Sequence, residues 1–473
     1  MTTKDAIPFI KLIKTPNRFY FYDVNRNEIV PVEETSYAYL KEILEGWQKI
    51  PVPFQIEDLQ KKGYLSHGKV KTIEHPMNDI LPIILQRRMQ KITLQLTQDC
   101  NFRCKYCHYT ANDGSQRVHS KKKMSFEMVK KGILFLREHS VDSPEVFIGF
   151  YGGEPLLEFE LLKKAVLYAE EVFYGKKINY TVTTNSTLFS GAIIEFFEQY
   201  DIQVIVSLDG PKEIHDKNRV FPNGEGTFDS VINKIRDIRS RYPKFFRSIS
   251  FNMVIDPQND YGKIDELFQQ YPYLKKIDMS ATVIDDISIN KNVYSEEYTS
   301  KVAYKEFLAY LCILGRTSPK KLDPVTRNKV TGIRKTVSEF YARNGFSQKA
   351  APGGPCVPGE VRLMLTVEGN FIVCERVNEI SDCMILGTIE KGLDINKAKA
   401  LLNIAQITQD ICRDCWAFWG CDLCAKYSEE HGVLSREQRL SQCGRSRSQF
   451  QQNIYEKILV EEAQEIYGQV VSI

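Results

Sequence analysis

Hydrophobic and polar positions along the 473-residue chain change their rhythm near residue 90 and again near residue 318. Before the first change, β-prone runs at 18–24 and 28–32 flank a short polar turn and predict a hairpin. Apolar residues then recur at helical spacing over 40–44 and 56–59, and a glycine follows each stretch. We therefore expect residues 1–88 to form a small module of their own, a hairpin with short helices.

Between residues 89 and 318, strand-like and helix-like stretches alternate. Helices are clearest at 125–137, with Ser125 as the N-cap, and at 159–171. This alternation predicts an α/β fold with a parallel sheet, closed into a barrel or partial barrel, whose functional groups gather at the C-terminal ends of the strands. The six predicted strands are 92–96, 146–150, 178–183, 204–208, 249–255 and 277–283.

The last region is less regular. A mainly helical connector is expected over 319–350, and a cysteine-dense stretch that opens with glycines and prolines follows over 351–450. Periodicity there is too weak to assign elements, so the cysteines carry the interpretation. A C-terminal helix is expected over 451–473.

Composition narrows the class of protein. With 63 basic and 60 acidic residues the net charge is +3, which gives no reason to propose nucleic acid or a membrane as a partner. The N-terminus lacks the apolar core of a signal peptide, and no run approaches membrane-spanning length, so we expect a cytoplasmic protein. In that reducing compartment 12 cysteines indicate metal or redox chemistry rather than disulfides.

Three cysteines follow the first strand of the alternating region, spaced Cys100-x3-Cys104-x2-Cys107. A four-iron cluster normally takes four thiolates, so three on one loop would leave an iron open to another ligand. Structural zinc prefers two close pairs of ligands, and it remains the alternative, together with ordinary buried thiols.

With Gly152-Gly153-Glu154-Pro155 ending the second strand, this triplet resembles the radical S-adenosylmethionine superfamily. The resemblance implies a six-stranded partial barrel, whose open iron chelates the cofactor, and reductive cleavage to a 5′-deoxyadenosyl radical. The implied cofactor-binding residues lie in the triplet loop and at the ends of strands two to four: Tyr106, Gly152, Gly153, Glu154, Asn185, Ser207 and Arg219.

Several of these residues have roles that the resemblance suggests. The two glycines would let backbone approach the methionine ammonium, for which Glu154 offers a carboxylate acceptor. Tyr106 stands where an adenine contact is expected, and Arg219 suits the methionine carboxylate. Asp209, after strand four, is a candidate catalytic residue, with simple capping of its loop as the alternative.

A second cysteine set resembles the SPASM extension of radical enzymes that modify peptides, although only two residues, not three, separate Cys421 from Cys424. By this resemblance an outer cluster would use Cys412, Cys415, Cys421 and Cys443. An inner cluster would use Cys356, Cys374 and Cys424 and keep an open iron, unless Cys383 is a further ligand. Three four-iron clusters are then expected in all, and a zinc ribbon at the paired C-x2-C motifs is the alternative. We expect Cys312 to be a core residue.

The resemblance as a whole implies a peptide maturase of the ranthipeptide or sactipeptide type, which joins cysteine sulfur to carbon in a cysteine-rich precursor peptide. The N-terminal module resembles a winged-helix element that recognises leader peptides, and an external flavodoxin- or ferredoxin-like electron donor is implied. The enzymatic alternative is an anaerobic sulfatase-maturating enzyme that makes formylglycine, for which Glu375 is the candidate base. An alternative of another class is a non-catalytic, zinc-binding peptide-recognition protein.

Overall fold

The structure is a computed structural model that describes residues 7–47, 49–107, 109–110, 116–284, 294–354 and 356–468. The N-terminal region contains a three-stranded antiparallel sheet in the order β1-β2-β3, followed by short helices. Its elements are β1 (Ile10–Lys14), β2 (Phe19–Asp23), β3 (Glu28–Val32), α1 (Glu34–Leu44), α2 (Phe54–Lys61), β4 (Thr72–Ile73) and α3 (Leu81–Arg87).

Both faces of the central strand β2 are buried. Phe21 packs on one face with Leu40 and Ile56 of the helices, which gives the module a core of its own. Tyr20 and Tyr22 point to the opposite face and share a core with residues of the C-terminal region. The FYFYD sequence of this strand therefore has no polar face, because the sheet is covered on both sides.

Six parallel strands form the centre of the molecule, hydrogen-bonded in sequence order, as predicted. Their apolar alternate positions pack against the helices, and Ser125 caps α4 by accepting a bond from the Met128 amide at 3.1 Å. The strands are β5 (Lys91–Thr97), β6 (Glu145–Gly152), β7 (Lys177–Thr184), β8 (Gln203–Ser207), β9 (Ile249–Ile255) and β10 (Met279–Val283). The helices are α4 (Phe126–His139), α5 (Phe159–Val172), α6 (Gly191–Gln199), α7 (Lys212–Asn218), α8 (Phe228–Arg241), α9 (Pro243–Ser248) and α10 (Ile264–Gln270).

The cysteine-dense region continues this sheet. Strand β12 pairs parallel to β5, and β13, β14 and β15 follow antiparallel, which extends the sheet to ten strands. The remaining elements are α11 (Glu296–Ile313), α12 (Pro324–Ser338), β11 (Lys349–Ala350), β12 (Met364–Leu365), β13 (Asn370–Ile372), β14 (Ile385–Thr388), β15 (Gly392–Leu393), α13 (Ile395–Leu402), α14 (Gln409–Cys412), β16 (Glu429–Glu430), β17 (Val433–Leu434), α15 (Arg436–Ser441) and α16 (Cys443–Tyr467).

One buried carboxylate ties the two ends of the chain together. Glu462 on α16 accepts hydrogen bonds from the Tyr20 hydroxyl at 2.8 Å and the Thr15 hydroxyl at 2.9 Å. Directly after β2, the Val24 carbonyl accepts a hydrogen bond from the Trp419 indole at 2.8 Å. The N-terminal sheet is thus fixed to the C-terminal region by specific polar bonds as well as by its apolar face.

Three details differ from the sequence expectations. The sheet has a third strand, β1, in addition to the predicted hairpin. The connector helix α12 ends at Ser338, short of residue 350. Helix α16 begins at Cys443 rather than at 451, because the chain turns straight from α15 into it, and residues 469–473 lie outside the described residues. Within the described ranges, no helix is both long and apolar enough to cross a membrane.

Candidate active site

The first cysteine loop leaves the C-terminal end of β5 and folds tightly on itself. The Cys100 amide donates to the Asp99 carboxylate at 2.8 Å, and the Cys107 amide donates to the Cys104 carbonyl at 3.0 Å. Burial raises the pKa of Cys100 to about 12 and that of Cys104 to about 11, and each of the three thiols acts electrostatically on another. A metal cluster bound here would take these groups as thiolates and release their protons.

The loop is held by a backbone contact with the end of β6. The Gly153 amide donates to the Thr97 carbonyl at 2.9 Å, and the Glu154 amide donates to the Asp99 carbonyl at 2.8 Å. A Cβ on Gly153 would lie 1.8 Å from the Asp99 oxygen, and Gly152 has φ +135° with Thr97 at similarly close range. The glycines are therefore required for the cysteine loop itself to be seated.

Glu154 is buried and makes structural bonds. Its carboxylate accepts from the Thr184 hydroxyl at 2.7 Å and from the backbone amides of Asn185 at 2.8 Å and Leu156 at 3.1 Å. Burial raises its pKa despite these donors. The bonds join the end of β6 to the end of β7.

Asn185 in turn reaches the cysteine loop. Its side-chain amide donates to the Asn101 side chain at 2.7 Å, and its own oxygen accepts from the Thr187 hydroxyl at 2.7 Å. Asn101 lies directly after Cys100, so the end of β7 helps to orient the first cysteine.

Asp209, after β8, is the centre of a third connection. Its Oδ2 accepts from the Tyr106 hydroxyl at 2.6 Å and from Arg219 Nε at 2.8 Å, while its Oδ1 accepts from the Val254 amide at 2.9 Å. Both oxygens are engaged, which favours a positioning role over that of a free base. Ser207, the last residue of β8, is buried.

The loop after Asp209 is fixed by a neutral histidine. His215 Nδ1 accepts from the Asp209 amide at 3.3 Å, and its Nε2 lies 3.1 Å from the Thr227 hydroxyl. Burial lowers the pKa of His215 to about 3, so it stays uncharged. Arg219 Nη1 then lies 4.0 Å from Cys104 Sγ, which brings a positive charge to the cysteine loop.

The outer cysteine set converges on one cavity. All four thiols line it, together with the apolar side chains of Phe418 and Leu423. Burial raises the pKa of Cys415 to about 11, and neighbouring thiols contribute to the rise. The four lining cysteines are Cys412, Cys415, Cys421 and Cys443.

The inner set also comes together. Cys424 acts electrostatically on Cys374, and Cys356 acts on Cys424. Cys383 has different neighbours, because its sulfur lies 3.3 Å from the Ser381 hydroxyl and its nearby charges are the carboxylates of Glu429 and Asp382.

The two sets lie towards opposite ends of the barrel strands. The first loop follows the C-terminal end of β5, whereas β13 runs antiparallel to its neighbours and delivers Cys374 towards the N-terminal end. Glu375, next to Cys374, accepts from Arg362 at 2.6 Å and acts electrostatically on Lys91, the first residue of β5. The predicted base is therefore ion-paired in this structure.

The sheet face between the two sets carries polar side chains. A Cβ on Gly149 would lie 3.1 Å from the Thr93 hydroxyl and 3.3 Å from the Thr181 hydroxyl, so these positions share a face opposite the helix-packed core. Tyr151 lies on the same face. Cys107 and Glu375 both act on its hydroxyl, which places this side chain between the first and inner cysteine sets.

Sequence reasoning missed one buried cluster altogether. Glu379 forms an ion pair with Arg117 at 2.6 Å, and their side chains are only 4% and 8% exposed. Gln95 of β5 donates to both Glu379 oxygens at 2.8 Å, and the Tyr109 hydroxyl donates to the same carboxylate. None of these residues lies in a recognisable motif. The only sequence signal is the polar Gln95 within an apolar strand.

A comparison with protein families identifies the central region. Residues 94–270 match the family described as the radical SAM superfamily, so this part of the chain is a radical SAM domain, as predicted. Such a domain uses S-adenosylmethionine and a four-iron cluster. The three mutually close thiols of the first loop fit the cluster. Among the described residues no three potential ligands are gathered for a single metal ion, but a cluster is larger than an ion and separates its thiolates further.

Relatives differ in the chemistry for which they are named. The chain is 33% identical over 139 residues to a serine-type anaerobic sulfatase-maturating enzyme of Bacteroides thetaiotaomicron, covering 29% of this chain and 33% of that protein. It is 24% identical over 212 residues to the radical SAM cyclopropyl synthase TigE of Paramaledivibacter caminithermalis, covering 42% and 43%. The chain thus spans less than half the length of these curated relatives.

A solved structure matches far more of the chain. Native anSMEcpe with bound AdoMet and Cp18Cys peptide superposes with a TM-score of 0.58 at 18% identity, covering 80% of this chain and 99% of that one. At this identity the likeness establishes the fold, and it confirms the predicted α/β partial-barrel class with a cysteine-rich C-terminal region.

The backbone contact at Gly153 leads to a first prediction. In Gly153→Ala the new methyl group would force the Asp99 carbonyl away and unseat the first cysteine loop. We expect the purified, reconstituted variant to lose about four of the irons bound by wild type, as one four-iron cluster requires. Iron and sulfide analysis measures this.

Gly332→Ala is the matched control, because a Cβ at that helical position meets nothing within 4 Å. It should retain the wild-type iron content. Full iron retention in Gly153→Ala would contradict the proposed function of the contact.

Proposed function

We propose that this protein is a radical S-adenosylmethionine peptide maturase of the SPASM type that installs thioether links between cysteine sulfur and carbon in a cysteine-rich precursor peptide. The observation that carries the proposal is the inner set of three cysteines. Cys424 is within electrostatic reach of both Cys374 and Cys356, whereas Cys383 lies beside Ser381 and Glu429. Three thiols would leave one iron of a four-iron cluster for a substrate thiolate.

The position of this set supports the same reaction. It lies towards one end of the barrel and the first cysteine loop lies at the other, with Tyr151 and the polar face of Thr93, Gly149 and Thr181 between them. A peptide segment on this face would have its thiol directed to the inner set and its reacting carbon directed to the cofactor. The residues proposed to hold the cofactor are those that end the strands around the first loop, with Arg219 beside Cys104.

The overall chemistry balances without a further oxidant. S-adenosylmethionine, when bound, supplies the 5′-deoxyadenosyl radical that takes a hydrogen atom from carbon. Per link, the peptide loses two hydrogens and is oxidised by two electrons. Methionine, 5′-deoxyadenosine and one proton are the other products. One electron would start each cycle and would be released again when the carbon–sulfur bond forms, and an external flavodoxin- or ferredoxin-like protein is its proposed donor.

Formylglycine formation is the second candidate. It is favoured by the similarity to a serine-type anaerobic sulfatase-maturating enzyme and by the likeness to anSMEcpe, whose structure contains a bound peptide. Against it, the candidate base Glu375 is ion-paired with Arg362, and Asp209 has both oxygens engaged. These bonds occupy both oxygens of Asp209 and one oxygen of Glu375.

The deciding experiment is mass spectrometry of cysteine-rich peptides after anaerobic reaction with the reconstituted enzyme. We expect a loss of two hydrogens per link, with one cysteine per link protected from alkylation. An aldehyde product in place of a cross-link would overturn thioether formation in favour of formylglycine.

The inner cluster can be tested apart from turnover. Cys374→Ala removes one of three proposed ligands and should lower bound iron by about four atoms per chain. Cys383→Ala is its matched control, because Cys383 is also a partly buried thiol in the same region, and it should leave the iron content unchanged. Equal iron loss in both variants would make Cys383 a ligand and remove the vacant site.

We further propose that the N-terminal module binds the leader segment of the precursor by strand addition. The Thr15 amide donates to the Arg18 carbonyl and the Val24 amide donates to the Phe9 carbonyl, so alternate residues of β1 face β2. Leu12 and Lys14 then direct their backbone groups to the outer edge. On the opposite edge of the sheet, formed by β3, the same alternation directs the backbone groups of Ile29 and Pro31 outwards, and proline has no amide hydrogen to donate.

The β1 edge is therefore the better acceptor for an extended peptide. On addition of leader peptide, hydrogen exchange at the amides of Leu12 and Lys14 should slow by about tenfold or more, as for newly formed strand bonds. Ile29, on the other edge, is the internal control. Protection at Ile29 without protection at Leu12 would move the binding site to β3.

A further inference from the structure

The buried cluster around Glu379 links the two loops that carry opposite cysteine sets. Tyr109 comes two residues after Cys107, and Glu379 comes five residues after Cys374. The Tyr109 hydroxyl donates to Glu379, so a single hydrogen bond connects the two loops. Tyr109 and Glu379 are 270 residues apart in the sequence.

Arg117 completes this link from a third segment. Its Nε donates to Glu379 at 2.6 Å, and its guanidinium lies 3.5 Å from the centroid of the Tyr109 ring. The Gln116 side chain accepts from the Glu379 backbone amide at 3.1 Å. The segment that follows the first cysteine loop therefore binds both the backbone and the side-chain carboxylate of Glu379. The position of the guanidinium over the ring and its two-point ion pair with Glu379 define one geometry for the group.

The barrel supplies the fourth member. Gln95, on the inner face of β5, donates to both carboxylate oxygens of Glu379, while its own oxygen accepts from the Val367 amide at 3.1 Å. Every polar group of this glutamine side chain is therefore bonded to the cysteine-dense region. A buried ion pair in this position is costly to form, and removing one partner leaves the other charge buried and unpaired.

We propose that Glu379, Arg117, Tyr109 and Gln95 form a positioning clamp that sets the distance between the first cysteine loop and the segment 374–381. That segment runs from Glu375, beside Lys91 at the start of β5, to Glu379, beside Gln95 near its end, and so it lines the proposed reaction space. Arg117 also acts electrostatically on Cys107, so the clamp reaches the electrostatic environment of the first loop.

The clamp has a matched surface counterpart. Lys131 and Glu390 also join the barrel to the cysteine-dense region, but their side chains are 50% and 65% exposed. Solvent screens such a pair, and its loss changes little. Glu390→Gln therefore removes a charge between the same two regions without touching the buried group.

The test compares Glu379→Gln with Glu390→Gln. Before any peptide is added, amide exchange over 376–381 and 116–119 in the reconstituted holoenzyme should accelerate by about tenfold or more in Glu379→Gln and stay at the wild-type level in Glu390→Gln. The electron paramagnetic resonance spectrum of the reduced first cluster should also change in Glu379→Gln alone. With peptide, 5′-deoxyadenosine formed per modified peptide should rise severalfold.

Tyr109→Phe covers the case in which Glu379→Gln does not fold, because it removes one hydroxyl and keeps the ring under Arg117. It should show the same changes to a smaller extent. Wild-type exchange and an unchanged resonance spectrum in Tyr109→Phe and in any folded Glu379→Gln would overturn the clamp. Only the ratio of 5′-deoxyadenosine to modified peptide rests on the proposed function. A formylglycine product from the wild-type enzyme would overturn thioether formation, but the exchange and resonance tests of the clamp would remain valid.

Discussion

The contact between two backbones at the ends of β5 and β6 is the constraint on which the rest of the site depends. The amides of Gly153 and Glu154 donate to the carbonyls of Thr97 and Asp99, respectively. The two backbones are so close that neither Gly152 nor Gly153 has room for a side chain. Cys100, the first cysteine of the loop, follows Asp99 directly. Its loop can adopt only the course that the end of the neighbouring strand permits.

Successive strand ends then stabilise the same loop. Glu154 bonds to the end of β7, Asn185 of that strand end bonds to Asn101, and Asp209 after β8 bonds to Tyr106. Each bond is local to one edge of the sheet, but together they order a loop that has little regular structure of its own. The carboxylates and amides here are used mainly to position backbone and side chains, which is why several residues expected to touch the cofactor are found bonded to the protein.

Much of the central fold was predictable from the sequence, for a simple reason. Strand and helix alternation, the N-cap at Ser125 and the glycines at the end of β6 all depend on neighbours close in sequence or on one strand end. The buried cluster was not predictable, because Arg117 and Glu379 meet across 262 residues and neither stands in a periodic or motif context. The strand β1 was missed for the same reason, because it packs against distant parts of the chain.

The shared core of the N-terminal sheet and α16 has a consequence for biosynthesis. Tyr20 and Tyr22 are made long before Phe450, Ile454 and Glu462, against which that face is buried. One face of the sheet must therefore stay exposed to water or to a chaperone until α16 has left the ribosome. Cys412 packs in that same core, so the cavity of the outer cysteines takes its final form only after α16 has packed against the sheet. A cluster would enter that cavity after this step, whereas the barrel can fold and take up its own cluster earlier.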